Sequence, residues 1–278
     1  MKPVAFDYER PQDIDGALAL AGRGDIAVKF LAGGQSLGPM LNLRLAQPDL
    51  LVDLTGIAEL KHVETKADAL ELGACITHAD IEDGRVTDVT NGALPAVACG
   101  IAYRAVRNRG TIGGSVAHAD PAADWITFLA AIGAEVVIHG RKARRTVPVE
   151  DFMTGVFETA LAPDELVTAV RIPKFSGSAR WGYYKACRKT GEFAHACGAI
   201  LHDPGRSISR AVIGALEARP IVFTDTAELY GGAGKHLAEK FVPQVALNAM
   251  EAAGVTDRIE QKMHLVTLRR AVEQACAR

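Results

Sequence analysis

Short apolar runs set off by glycine, proline and aspartate mark the first half of the chain. Residues 26–31 (IAVKFL) read as a strand that runs into a Gly-Gly turn, 48–54 (PDLLVDL) as a second strand and 69–76 (ALELGACI) as a third. Thr77-His78-Ala79-Asp80 has the form of a capping box that opens a helix. Residues 94–102 (LPAVACGIA) read as helical. Trp125, Phe128, Leu129 and Ile132 fall at helical spacing, which predicts a helix over 120–133 with Asp120 as its N-cap and Pro121 at its first position. A strand over 134–140 turns across Gly140-Arg141-Lys142 into a partner over 143–149, and 164–173 (DELVTAVRIP) supplies one more strand.

After Pro173-Lys174-Phe175-Ser176-Gly177-Ser178, the best linker in the chain, the pattern changes. Strand-like runs at 179–189, 193–201 and 208–218 precede helices over 235–252 and 263–277. Strands first and helices after predict a smaller α+β unit, a three-stranded sheet plus helices. The chain is therefore divided into a first domain over 1–174 and a C-terminal domain over 175–278, in line with about two domains at roughly 150 residues each.

Composition narrows the function. Apolar residues make up 49% and charged residues 23%, and the net charge is −2, so nothing draws the chain to nucleic acid or an anionic membrane. No run approaches the ~18 apolar residues of a membrane span, and the N-terminus MKPVAFDYERPQDIDG lacks a signal core, so the expected location is cytoplasmic. The cysteines (Cys75, Cys99, Cys187, Cys197, Cys276) are odd in number, widely spread and free of any Cys-x-x-Cys. That argues against a disulfide framework, a zinc ribbon or an iron–sulfur cluster within this chain. The histidines show no metal-ligand spacing, and no serine, cysteine or histidine arrangement recommends a hydrolase. No catalytic residue and no metal ligand is nominated.

Two glycine-bearing stretches carry the chemistry: Ala32-Gly33-Gly34-Gln35-Ser36 and Thr111-Ile112-Gly113-Gly114-Ser115. Glycine lets a backbone approach a phosphate closely and turn successive N–H groups toward one anion. A helix N-terminus nearby adds partial positive charge, and each stretch ends in a serine hydroxyl that can donate to a phosphate oxygen. Neither is a Walker A motif and neither is Gly-x-Gly-x-x-Gly, so neither a P-loop nor a Rossmann site is supported. Two glycine turns without a ligand remain the plain alternative.

The stretches AGGQS, RLAQPDLLVDL, VRNRGTIGGSVAHADPAADW, VPVEDFMTG and YYKACRKTGEFA, in that order, resemble the FAD-binding (medium) subunit of the molybdenum hydroxylases. That family includes the flavoprotein subunit of aerobic carbon monoxide dehydrogenase and the flavin domain of xanthine dehydrogenase. The resemblance spans nearly the whole chain, and RNRGTIGGS joined to DPAAD is its most specific part. It implies an α+β fold: a two-part FAD-binding domain of the vanillyl-alcohol-oxidase (PCMH) type, followed by the smaller C-terminal domain.

The same resemblance implies that both glycine stretches hold the FAD diphosphate, through Ala32, Gly33, Gly34, Gln35 and Ser36 and through Thr111, Gly113, Gly114 and Ser115. Relatives often carry histidine at the position of Gln35 and asparagine at that of Ser115; both residues here still form hydrogen bonds. Asp124 resembles the carboxylate that accepts from the ribityl or ribose hydroxyls, with a first-turn aspartate favouring the helix dipole as the alternative. Leu161 resembles the apolar residue beside the cofactor rings, and Lys185 the lysine near the flavin. Phe193 falls where the family places an aromatic, often tyrosine, over the ring. For these three, a buried turn leucine, a strand lysine facing water and a core phenylalanine are the plain alternatives. His118 reads as a histidine satisfied by local backbone, Arg107 and Arg109 as braces on backbone carbonyls, and Arg141, Lys142, Arg144 and Arg145 as a solvated hairpin rim.

Function follows as an expectation of the resemblance. The chain is an electron-transfer flavoprotein subunit. A large partner carries the molybdenum cofactor, a small partner carries 2Fe-2S clusters, and an external acceptor takes the electrons. The expected assembly is a dimer of heterotrimers. A self-contained flavin oxidoreductase and a flavin-free assembly subunit are the alternatives.

Overall fold

The computed structural model describes residues 2–230 and 237–278. The chain begins with a small parallel sheet. β1 (Asp7–Glu9), α1 (Ile14–Ala21), β2 (Val28–Leu31), α2 (Leu37–Asn42) and β3 (Leu50–Asp53) follow in sequence, and the strand order is β1-β3-β2. Strands that run parallel need crossover connections; α1 lies in the one from β1 to β2, which sit on either side of β3, and α2 in the one from β2 to its neighbour β3. Leu50 and Val52 of the central strand are buried with Ala17, Leu18, Leu54, Ile57 and Leu60. Asp13 starts α1 by accepting from the Gly16 N–H at 2.7 Å.

The next part is larger and antiparallel. It comprises β4 (Val63–Thr65), β5 (Ala69–Gly73), α3 (His78–Glu82), α4 (Ala93–Gly100), α5 (Arg104–Arg107), α6 (Ile112–His118) and α7 (Asp124–Ala131). After them come β6 (Glu135–Gly140), β7 (Arg144–Pro148), α8 (Val149–Phe152), β8 (Met153–Gly155), β9 (Glu158–Thr159) and β10 (Glu165–Pro173). The main sheet has the order β4-β5-β10-β6-β7. Trp125, Phe128 and Leu129 of α7 are buried in the core beside Leu70 and Leu72 of β5 and Val136 and Ile138 of β6.

The last part holds β11 (Arg180–Ala186), β12 (Ala196–Asp203), β13 (Ile208–Gly214), β14 (Ile221–Phe223), α9 (Ala227–Tyr230), α10 (Pro243–Ala252) and α11 (Arg258–Ala277). Its strands pair antiparallel in chain order. Both faces are covered. Ala199 and Leu201 of β12 join the core around α7, while Ile200 between them joins Leu268, Ala271 and Val272 of α11. The C-terminal sheet thus shares one core with the preceding part of the chain.

Several expectations need correction. The C-terminal sheet has four strands rather than three; Ile221-Val222-Phe223 is too short to show an alternation. The last helix starts at Arg258, five residues earlier than its apolar spacing shows, because Asp257 accepts from the N–H groups of Ile259 and Glu260 at 2.8 Å each. The helix expected from 235 begins at Pro243; residues 237–242 are not helical, and 235–236 lie outside the described residues. Asp120 does not cap α7. Its carboxylate accepts from the Ala122 N–H at 2.9 Å and its carbonyl from the Ala123 N–H at 2.9 Å, a turn that carries the chain to an N-cap at Ala123. Arg144 and Arg145 are more than a solvated rim: Arg144 pairs with Glu71, and Arg145 holds Glu165 at 2.6 and 2.7 Å. The capping box at Thr77 is present in full.

Candidate functional site

Thr111 caps α6, so the second glycine pair is the first turn of a helix rather than a loop. Its backbone is committed. The Ile112 N–H donates to the Ile76 carbonyl at 3.0 Å, Gly113 to the Ala74 carbonyl at 3.0 Å, Gly114 to the Thr111 hydroxyl at 3.0 Å and Ser115 to the Thr111 carbonyl at 3.0 Å. Gly113 lies so close to the end of β5 that a Cβ there would stand 2.4 Å from the Cβ of Ala74.

The first glycine stretch connects β2 to α2. Here no acceptor among the described residues takes the N–H of Gly34, Gln35 or Ser36. Ser36 stands at the N-cap of α2 without using its side chain to cap. Gln35 folds its amide back to the Gly33 carbonyl at 3.1 Å. The two stretches meet directly: a Cβ on Gly33 would lie 2.1 Å from the carbonyl oxygen of Arg109. Glycine at 33 is therefore required by the neighbouring backbone.

The two stretches form walls of a cleft of about 540 Å³. Ala32, Gly33, Gly34, Gln35, Ser36, Thr111, Gly113, Gly114, Ser115, Asp124, Leu161 and Phe193 all line it. Lys185 is not on the lining but holds Asp124 from behind. Its ammonium lies 2.8 Å from Asp124 Oδ1 and 3.1 Å from Oδ2, and donates to the Gly100 carbonyl at 2.8 Å. The water-facing alternative for Lys185 thus fails, since its side chain is only 12% exposed. Asp124 is also in the first turn of α7, so proximity to the helix dipole and to the cleft coexist. Phe193 is exposed at 67%, which rules out a core phenylalanine. Leu161 is partly buried, packed against the main core while lining the cleft.

Further groups were not singled out from the sequence. Tyr183 donates from its hydroxyl to Asp124 Oδ1 at 2.7 Å. His78, under the second wall, accepts from the Trp125 Nε1–H at its Nδ1 at 3.1 Å, and its backbone N–H donates to the Gly110 carbonyl at 2.9 Å. Burial, with help from the charge of Arg107, lowers the His78 pKa to about 4, so it is neutral at ordinary pH. Arg107 grips Glu82 at 2.8 and 2.9 Å and the carbonyls of Ile101 and Ala102 at 3.0 Å each, as a brace should. His118 packs its ring against Phe157 at 5.0 Å rather than being satisfied by local backbone. Tyr183 carried a period-two signal: it shares a strand face with Lys185. His78 carried none beyond the capping box.

The arrangement suits a long ligand with an anionic middle. Open amides at 34–36 suit phosphate oxygens, the carboxylate of Asp124 suits hydroxyl donors, and Phe193 offers a π-face. FAD has all three complementary parts. Among the described residues, no helix is long and apolar enough to cross a membrane.

Comparison with known proteins agrees with this geometry. Residues 4–175 match a family described as the FAD binding domain in molybdopterin dehydrogenase. The chain is 34% identical over 254 residues to the carbon monoxide dehydrogenase medium chain of Hydrogenophaga pseudoflava, covering 91% of this chain and 87% of that one. It superposes on a chain of the reconstituted CO dehydrogenase of Oligotropha carboxidovorans with a TM-score of 0.88 and 31% identity, over 100% of both chains. It also superposes on a chain of quinoline 2-oxidoreductase from Pseudomonas putida 86, with a TM-score of 0.84 and 30% identity over 100% of this chain and 99% of that one.

Proposed function

The chain belongs to the FAD-binding subunits of molybdenum hydroxylase-type dehydrogenases, and from that premise we propose that it is the electron-relay subunit of such a complex. Its electrons come from 2Fe-2S clusters in a small partner chain, after substrate oxidation at a molybdenum cofactor in a large one. They leave to an external acceptor. The names of the relatives, medium chain and subunit beta among them, support a multi-subunit assembly, and a dimer of heterotrimers is the arrangement we assign. FAD, when bound, supplies the ability to take electrons singly and deliver them in pairs.

The chain's own residues have distinct tasks in this reading. The amides of Gly34, Gln35 and Ser36 donate to the diphosphate, with the hydroxyls of Ser36 and Ser115 beside them. Ala32 and Gly33 fix the first wall, and Thr111, Gly113 and Gly114 fix the second. Asp124 accepts from sugar hydroxyls. Leu161 shields the rings from water and Phe193 stacks on them. Lys185 keeps Asp124 in place and contributes positive charge near the ring. The observation that carries the reading is the meeting, in one cleft, of the open amides at 34–36 and of Asp124, whose carboxylate Lys185 holds.

The test is the visible absorption spectrum of the purified full chain with and without added FAD, followed by turnover assays alone and with the large and small partners. A flavin spectrum together with inertness until partners are added supports the relay. Turnover of substrate by the chain alone overturns it in favour of a self-contained flavin enzyme. No flavin uptake, alone or in the complex, overturns the cofactor assignment.

A further inference from the structure

Asp124 sits on α7, but what holds it comes from β11, some 60 residues further along the chain. Tyr183 and Lys185 are two apart on that strand, so both project from the same face. The Tyr183 hydroxyl meets Asp124 Oδ1 at 2.7 Å and the Lys185 ammonium lies within 3.1 Å of both carboxylate oxygens. The tyrosine is itself fixed. Its ring stands edge-on to Phe128 at 6.2 Å and 83°, and its backbone N–H donates to Gln274 Oε1 at 2.9 Å.

We propose that Tyr183 is a positioning residue for the cofactor: acting through Asp124, it fixes the orientation in which that carboxylate meets the sugar hydroxyls. This rests on the assignment of Asp124 to the cofactor made above. The hydrogen-bond inventory supports it. An ionised carboxylate has about four acceptor positions. Tyr183 and Lys185 occupy part of them and leave capacity for a hydroxyl from the cleft. The phenol has one proton, and a carboxylate can only accept, so that proton goes to Asp124. Cys197, whose sulfur is 3.5 Å from the phenol oxygen, is left to donate its own. Both donors keep their protons. Burial, and then the charge of Asp124, raises Tyr183 well above the usual phenol range and pushes the Cys197 thiol up to about 12. Tyr183 is therefore a permanent neutral donor, which fixes the carboxylate without adding a second cation.

The experiment is a double-mutant cycle on the full chain stripped of cofactor, read as the FAD dissociation constant by quenching of flavin fluorescence. Tyr183→Phe keeps the ring on Phe128 and removes only the hydroxyl. We expect it to weaken FAD binding about tenfold, Asp124→Ala to weaken it by more, and the double variant to match Asp124→Ala alone. Cys197→Ala, which leaves the Tyr183–Asp124 bond in place, should bind within about twofold of wild type. That control separates positioning from a general disturbance of the packed region. Losses that multiply in the double variant would show that Tyr183 acts independently of Asp124 and overturn the proposal. So would a Tyr183→Phe affinity equal to wild type while Asp124→Ala binds weakly. If Asp124→Ala binds as wild type, the assignment of Asp124 itself fails. The melting temperature of each cofactor-free variant shows whether any loss reflects unfolding.

Discussion

The two glycine-bearing walls of the cleft differ in where their backbone N–H groups go. Over 112–115 every N–H is taken by Ile76, Ala74 or Thr111; Gly113 is needed because Ala74, just after β5, leaves no room, and a Cβ on Gly114 would stand 2.7 Å from the Thr111 hydroxyl. Over 34–36 the N–H groups have no acceptor among the described residues, and all three residues line the cleft. The second wall is a packed helix start; the first is a turn with open amides, braced against it through Gly33 and Arg109. A Gly-Gly pair therefore has two uses here: close contact with other backbone, and freedom to leave amides open.

Substitutions can test that difference directly. The largest effect is expected from Gly113→Val. Its Cβ would lie within 2.7 Å of the Cα, Cβ and carbonyl oxygen of Ala74, so the end of β5 must move. We expect a loss above about 4 kcal/mol, seen as failure to yield folded protein or a large fall in melting temperature. A tolerated valine would show that the second wall is not packed as described. Acid should also weaken the second wall. His78 has a folded-state pKa of about 4, below its ordinary 6.5, so its contribution is complete above pH 6.5 and is lost as pH falls toward 4. The loss amounts to at most about 3 to 4 kcal/mol, at about 1.4 kcal/mol per pKa unit. Melting temperature against pH, compared with His78→Gln, measures it. The variant's amide can accept from Trp125 without titrating, so its acid limb should be shallower, keeping the share of His264, whose pKa burial also lowers to about 4.

Gly34→Ala addresses the first wall. Gly34 has φ +70°, where an alanine costs about 1–2 kcal/mol. The fold should survive while FAD affinity falls about tenfold, as titration of the cofactor-free chain would show. Unchanged affinity would remove the proposed diphosphate contact from 34–36. Thr111→Ala should have the smallest effect. It removes the cap on the Gly114 N–H and should lower stability by about 1 kcal/mol, with Thr111→Ser restoring most of it.

Much of the fold was legible in local sequence, because strand runs such as 50–53 and 165–173 and the Thr77–Asp80 box carry their signal within a few residues. Of the residues that the resemblance named, all but Lys185 line one cleft. What local sequence could not show was which amides are already satisfied. The partners of Ile112 and Gly113 are carbonyls some 35 to 40 residues earlier, and only tertiary packing brings them near. The same holds for Asp124 and Lys185, each ordinary in its own segment. Asp120 misled because aspartate before proline suits both a cap and a turn, and the turn prevailed.

The grip of β11 on Asp124 also orders events during synthesis. The ribosome releases the open turn at 34–36 first, its brace at Arg109 next, and Tyr183 and Lys185 last. Domains fold largely as they emerge, N-terminal part first. A nascent chain that has reached only residue 175 holds both glycine stretches, yet its Asp124 carboxylate has neither of its two clasping side chains, and the core to which Ala199 and Leu201 contribute is incomplete. The clasp on Asp124 is thus a late event, closing only once the first strand of the C-terminal sheet has been translated and docked.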